Sequence, residues 1–181
     1  LGRLRRMAIE LDLYRRVMGH FATGVTVLTT LDGDRPAGVT VNAITSVSLE
    51  PPLLVVALDR RRAILPALRA TGAFAVNVLG EDQQALSDCF AGAPVVPGRE
   101  AFCGAAWRPG DRGLPLIDGA IATMTCAVER IDPVGDHELV VARVETGASE
   151  SSHPLPLLYY RRRYLRIERA AVVELEGKPD G

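Results

Sequence analysis

The chain has 181 residues, 48% hydrophobic and 24% charged. This is the composition of one soluble globular domain, able to bury roughly 70% of the surface its unfolded form exposes. A formal net charge of −1 argues against a general nucleic-acid binder, and no apolar run approaches the ~20 residues that cross a bilayer. The N-terminal stretch LGRLRRMAIELDLYRR is basic but lacks the apolar segment of a secretory signal. Met7 reads as an alternative start, and residues 1–8 are set aside as a tail. Cys89, Cys103 and Cys126 are odd in number with no C-x-x-C spacing, and His20, His137 and His153 are scattered. That pattern predicts reduced thiols in a cytoplasmic chain and no metal site.

In chain order, Ile9, Leu13, Val17 and Phe21 recur every four residues, which predicts an amphipathic helix over about 9–21, ended by Gly24. Val25–Leu31 is a β-branched run, Asp32-Gly33-Asp34 is a turn signal, and the extended pattern resumes at Ala37: a hairpin. Pro51-Pro52 interrupts pairing before the apolar strand Leu53–Leu58, because proline brings no amide donor. A helix follows over Ala63–Ala70, stopped by Thr71-Gly72, then a strand at Phe74–Leu79. A further helix runs from Glu81 through Phe90 with Asp82 as its cap. Glycines, prolines and charges from Gly92 to Gly113 predict an irregular excursion.

Ala120–Ile131 and Glu138–Thr146 read as long strands joined through Asp132–Asp136, and Leu157–Tyr160 with Tyr164–Ile167 as a last pairing. The expected fold is therefore mainly β (α+β): seven or eight mostly antiparallel strands in a closed or partly closed barrel, with three helices outside. The domain spans 9–168, and 169–181 is a tail, loose from Glu176 onward.

Certain absences narrow the chemistry. No glycine is followed by another two residues later, so G-x-G-x-x-G cannot occur, and neither the P-loop nor the G-x-S-x-G pattern is present. Four constellations remain. Gly38–Pro52 carries short polar groups (Thr40, Asn42, Thr45, Ser46, Ser48) where a buried strand would want bulk. It suits either a flat, polar-edged ligand or a polar strand edge. Arg60-Arg61-Arg62 opens a helix, where cations oppose the macrodipole unless an anion neutralises them; a solvated basic loop is the alternative. His137, in Gly135-Asp136-His137-Glu138 at a hairpin end, faces a ligand or is a turn histidine. Tyr159-Tyr160-Arg161-Arg162-Arg163-Tyr164 can stack on rings and pair with phosphate, or form an exposed strand.

The order of these segments is more specific than any one of them. Phe21-Ala22-Thr23-Gly24-Val25-Thr26-Val27, Gly38–Ala43 with Ser46–Leu53, Phe74–Leu79, Phe90-Ala91-Gly92, Gly135-Asp136-His137 and Pro156–Arg161 together resemble the flavin reductase-like family. These proteins are reductase components of two-component flavin-dependent monooxygenases. The resemblance covers about Leu13–Ile167. It implies an FMN-binding split β-barrel, a homodimer, and hydride transfer from NADH or NADPH to FAD or FMN, the reduced flavin leaving for a partner oxygenase. Neither nucleic acid nor membrane is implied as a partner.

Position by position, the resemblance implies that Thr40, Val41, Asn42, Ala43, Thr45, Ser46, Val47 and Ser48 line the flavin ring and ribityl chain. Arg60, Arg61 and Arg62 fall at the flavin phosphate and Phe90 beside the ring. His137 falls beside the nicotinamide, orienting it rather than serving as an obligatory acid. Tyr160, Arg161 and Tyr164 fall in the stretch that closes over flavin and pyridine nucleotide. Two departures stand out: Arg61–Ile64 replaces small hydroxyl residues, and Arg162 replaces a frequent glycine. Such a reaction needs alignment more than acid–base groups, since the cofactors carry the reactive atoms. A non-catalytic flavin-binding module and a different split-barrel oxidase, acting for example on a phosphorylated pyridine ligand, are the other readings.

Overall fold

A computed structural model of the chain describes residues 9–94, 101–150 and 155–168. The expected tails, with Met7, lie outside these residues. Helix α1 (Leu11–Met18) is followed by short β1 (Thr23–Gly24), then β2 (Thr26–Asp32), β3 (Arg35–Val41), β4 (Ile44–Leu49) and β5 (Pro52–Asp59). Helix α2 (Ile64–Thr71), β6 (Ala73–Val78) and α3 (Gln84–Ala91) come next. They precede β7 (Trp107–Pro109), β8 (Pro115–Ile117), the long pair β9 (Ala122–Val134) and β10 (His137–Ser149), and the hairpin β11 (Leu158–Tyr160) and β12 (Arg163–Leu165).

Seven strands form one sheet in the order β3-β2-β6-β9-β10-β5-β4, every neighbour antiparallel. Its two end strands, β3 and β4, are separated in the chain only by Asn42-Ala43. The sheet therefore curls until its ends meet, and Val39 and Val41 of β3 share one core with Leu54, Val56 and Leu58 of β5. The Ala57 amide donates to the Ala43 carbonyl at 3.0 Å, carrying the β4–β5 ladder up to the seam. The expected mostly antiparallel barrel with three helices is thus present, split where β3 passes into β4.

β2 is buried from Thr26 to Thr30, and its hydroxyls find partners: Thr26 donates to the Val41 carbonyl, Thr29 to Pro115 and Thr30 to Ala73. Fully buried Asn77 ties three strands, donating to the Val27 carbonyl and Thr29 Oγ1, both at 3.1 Å, and accepting the Ile117 amide at 2.7 Å. Satisfied in this way, such polar groups escape the desolvation cost of burial. Helix α2 buries Ile64, Leu65, Ala67 and Leu68 against the barrel. It stops where expected, at Gly72, whose φ of +61° is open to glycine at little cost.

Several boundaries differ from expectation. The β9–β10 turn is only Gly135-Asp136, so Asp132, Pro133 and Val134 belong to the strand. Helix α3 starts at Gln84, and its N-cap is Gln83 rather than Asp82, with no side-chain cap bond. The Gln83 amide oxygen instead accepts the Gly80 N–H at 3.0 Å. Helix α1 is shorter than 9–21, and none of its residues is buried. Its apolar stripe is formed but not covered among the described residues: Leu13 is 43% and Val17 49% exposed, as is Phe21 beyond the helix at 68%.

The expectation of three reduced thiols is corrected. Cys89 and Cys103 form a disulfide, their Cα atoms 6.0 Å apart. Residues 101–104 lie against α3, and Phe102 packs edge-on against Phe90 at 5.0 Å between ring centroids. Cys126 is free and buried, and burial pushes its thiol pKa up to about 12, with Glu145 adding to the shift.

Candidate flavin site

The segment from Gly38 to Pro52 runs along the seam, and β4 is a sheet end. One side of β4 is hydrogen-bonded to β5, so the other presents backbone N–H and C=O groups outward. Ala43, Thr45, Ser46 and Val47 are exposed along it. The β4–β5 register slips between Ser46 and Ser48, a bulge that makes Val47 the extra residue. Bulges of this kind re-aim side chains and recur beside active sites.

Where β3 leads into this edge, Thr40 Oγ1 donates to the Ser87 carbonyl at 2.6 Å, and Ser87 Oγ lies 2.8 Å from the Tyr164 hydroxyl. Tyr159 packs edge-on against Tyr164 at 5.3 Å. With Asn42 and Arg62 these residues enclose a cavity of about 210 Å³. Burial raises the Tyr164 pKa from its usual value, the Ser87 hydrogen bond partly opposing this, so the phenol stays protonated and able to donate. Val41, by contrast, is turned into the core.

The three consecutive arginines part company. Arg61 is clamped on Asp59, with Nη2–Oδ2 at 2.6 Å and Nε–Oδ1 at 3.0 Å. That hydrogen bonding holds the Asp59 carboxyl well below the usual carboxylate range. Arg60 lies 3.4 Å from Glu138, which also meets Arg69 at 3.2 Å. The second of these contacts is an ion pair without hydrogen-bond alignment. Only Arg62 reaches the cavity. It donates to the Ala91 carbonyl at 3.1 Å and has no carboxylate partner among the described residues.

His137 opens β10, opposite Val134 on β9 and Asp59 on β5. Its Nδ1 is 2.7 Å from Asp136 Oδ1, and this hydrogen bond lowers the Asp136 pKa. The Arg60 amide donates to the Asp136 carbonyl at 3.1 Å, joining His137 to the Arg60–Arg61 rim. Phe90 is only 8% exposed and fills the space left by Gly38. A Cβ on Gly38 would fall 2.6 Å from the Phe90 ring, so glycine there accommodates this ring. Tyr160 and Arg161 sit apart, against α1: Tyr160 Oη is 3.4 Å from His20 Nδ1, and the Arg161 amide donates to the Gly19 carbonyl.

The structure thus gathers Thr40, Asn42, Arg62 and Tyr164 at one cavity, His137 with Arg60 and Arg61 on a rim, and Tyr160 with Arg161 elsewhere. Ser87 and Tyr159 were missed. Ser87 could have been found, as a lone hydroxyl one helical turn before Phe90 on the buried face of α3. The donor set fits a planar ligand with polar edges and a phosphate tail: an open strand edge, clustered hydroxyls and one guanidinium whose charge has no internal counter-ion.

Comparison with known proteins bears directly on this site. The flavin reductase-like domain model matches residues 18–168. The chain is 40% identical over 157 residues to an NADH-dependent flavin reductase of a Rhodococcus species, covering 85% of each. It is 36% identical over 165 residues to the reductase subunit HsaB of a flavin-dependent monooxygenase of Mycobacterium tuberculosis, covering 90% of this chain and 86% of that one. Among solved structures, the NADH:FAD oxidoreductase SgcE6 of Streptomyces globisporus superposes with a TM-score of 0.79 at 34% identity, over 92% of this chain and 99% of that one. The chain belongs to the flavin reductase-like family.

Proposed function

We propose that the chain is an NADH-dependent flavin reductase that transfers hydride to FAD or FMN and supplies the reduced flavin to a partner flavin-dependent monooxygenase. The observation that carries this is the open edge of β4 beside the cavity of Thr40, Asn42, Arg62 and Tyr164. Relatives named as NADH-dependent flavin reductase and as reductase subunit of a flavin-dependent monooxygenase support the donor and the partner.

When bound, flavin and nicotinamide supply the hydride acceptor and donor, and the protein's work is alignment. The backbone edge of β4 orients the polar rim of the ring, with Thr45, Ser46 and Ser48 beside it. The Thr40–Ser87–Tyr164 hydrogen-bond chain fixes the hydroxyls that meet the flavin's side chain. Arg62 holds the phosphate, and Arg60 and Arg61 stay engaged by Glu138 and Asp59. His137, with Nδ1 tied to Asp136, keeps one ring orientation and positions the pyridine nucleotide.

A homodimer accounts for the uncovered apolar surface of α1 and for Leu49, 89% exposed at the end of β4. No helix among the described residues is long and apolar enough to cross a membrane. We place the reaction in the cytoplasm, where reduced nicotinamide is drawn from the metabolic pool.

The test is NADH consumption, followed by absorbance, in the presence and absence of FAD or FMN. Turnover that requires added flavin is expected. An inert protein with both flavins and both nicotinamide nucleotides would mark a binding module without reductase activity.

A further inference from the structure

We propose that Cys89 and Cys103 are a redox-modification site, closed by hydrogen peroxide and opened by thiols. Its state sets how tightly the neighbouring cavity holds a phosphorylated flavin, so the proposal rests on the flavin reductase reading above. The bond is not sealed in the core: both cysteines are only partly buried. They line a cavity of about 300 Å³ together with Phe90, Phe102 and Arg62, and Arg62 also lines the cavity of Thr40 and Tyr164. Small oxidants and reductants therefore have a route to the sulfurs. In the cytoplasm, where the reaction is placed above, disulfides are ordinarily transient and serve catalysis or redox sensing.

The bond is joined to the flavin contacts through α3. Cys89 lies two residues after Ser87, whose carbonyl accepts from Thr40, and two before Ala91, whose carbonyl accepts from Arg62. Phe102 and Cys103 pack in the same apolar cluster as Phe90, Tyr159 and Tyr164. Phe90 in turn fills the space that Gly38 leaves on β3. Backbone geometry is a second pointer. Phe102 and Cys103 have φ of +49° and +57°, a left-handed region that residues with side chains seldom occupy. Such conformations persist only where the surroundings over-determine them, and they recur at switch regions. Here the sulfur bridge and the Phe90–Phe102 contact are the restraints. Opening the bridge removes one of them. Residues 102 and 103 then relax, Phe102 leaves Phe90, and the last turn of α3 no longer fixes the carbonyl that steadies Arg62.

Dioxygen reoxidises reduced flavin that no oxygenase takes up, accepting two electrons and two protons to become hydrogen peroxide. The proposed activity thus supplies the oxidant. One thiolate attacks peroxide, its sulfur–oxygen bond forming as the oxygen–oxygen bond breaks, and water leaves. The second thiol displaces the hydroxyl from that sulfur as a second water, forming the sulfur–sulfur bond. Reversal takes two electrons and two protons from two thiols, which depart as a disulfide. The closed pair is the flavin-holding form and the open pair the flavin-releasing form. Peroxide made from stray reduced flavin therefore tightens the hold on flavin.

The experiment equilibrates the full chain with glutathione buffers and counts free thiols by alkylation and mass spectrometry. Half-opening within the range of these buffers, and reclosure by peroxide, are expected. A pair that stays closed throughout, or whose opening unfolds the chain by circular dichroism, is structural and overturns the proposal. Fluorescence titration then compares the two forms. Opening should weaken FMN by about 10-fold, the scale of one lost charge-assisted hydrogen bond, with riboflavin nearly unchanged. Arg62→Ala should bind FMN equally in both forms, because the contact through which the pair acts is gone. Cys89→Ser with Cys103→Ser should match the opened parent and ignore both glutathione and peroxide; the opened parent gives the same reading should that variant not fold. FMN affinity that is equal in both parent forms, or an Arg62→Ala protein that still responds to opening, would overturn the proposal and leave the reductase reading in place. A parent that binds no flavin in either form would overturn the reductase reading instead.

Discussion

Arg60, Arg61 and Arg62 are adjacent in the chain and differ in role, because a strand-to-helix turn sends consecutive side chains in different directions. The proposed hold on a phosphate rests on Arg62 alone, since the carboxylates of Asp59 and Glu138 claim its neighbours. Arg62→Ala should weaken FMN by about 10-fold, the scale of a lost charge-assisted hydrogen bond, and leave riboflavin nearly unaffected. Arg61→Ala should change neither, and fluorescence titration of the two flavins measures both. Sequence spacing showed that cations cluster near a helix start. It could not show Glu138, which lies 78 positions beyond Arg60 in the chain and reaches it only through the β5–β10 ladder.

Cys126 makes a second prediction at this scale. Its folded pKa, about 12, lies above the ~8.5 of a free thiol. Below pH ~8.5 the thiol is protonated in both states and has no effect on stability. As pH rises further only the unfolded thiol ionises, so stability falls by up to ~1.4 kcal/mol per pH unit until the folded value is reached. Denaturant melts at several alkaline pH values should show this loss in the parent and a shallower one in Cys126→Ala.

Among the elements, those with strong local punctuation were legible. The β2–β3 hairpin followed from Asp32-Gly33-Asp34, and the end of α2 from Gly72, because turn and cap residues act through backbone conformation alone. The Cys89–Cys103 bond was not legible. Cysteine spacing carries no connectivity, and only the packing of residues 101–104 on α3 brings the two together. The bond closes a short loop, 14 residues in separation, for which loop-closure entropy gives a stabilisation of about 3 kcal/mol. Reduction, or Cys89→Ser with Cys103→Ser, should lower unfolding free energy by about that amount; an unchanged midpoint would show that α3 and the Phe90–Phe102 packing hold the segment unaided. The β3–β4 seam was also beyond sequence reading. The polar character of Gly38–Pro52 was visible, but its position at the open end of a curled sheet is a property of the strand order.

At the scale of the molecule, the barrel follows from seven antiparallel strands whose two end strands are neighbours in the chain, and the proposed site lies where that closure is incomplete. The periodicity of α1 identified an apolar face correctly, but nothing among the described residues covers it. Placing Asp at Leu13 and Val17 should convert a dimeric parent to monomer by light scattering, with the barrel's thermal transition retained. A parent already monomeric at the same concentration would leave α1 without that role. In the proposed function this seam aligns a flavin with a reduced nicotinamide. Its most direct test is rapid mixing of NADH with flavin-loaded protein without oxygen, the loss of oxidised-flavin absorbance timed for the parent and for His137→Ala. Fast bleaching by the parent is expected, with slower bleaching and weaker NADH saturation but nearly unchanged flavin affinity in the variant. Flavin that stays oxidised in the parent, or a variant that loses flavin while handling NADH normally, would contradict it.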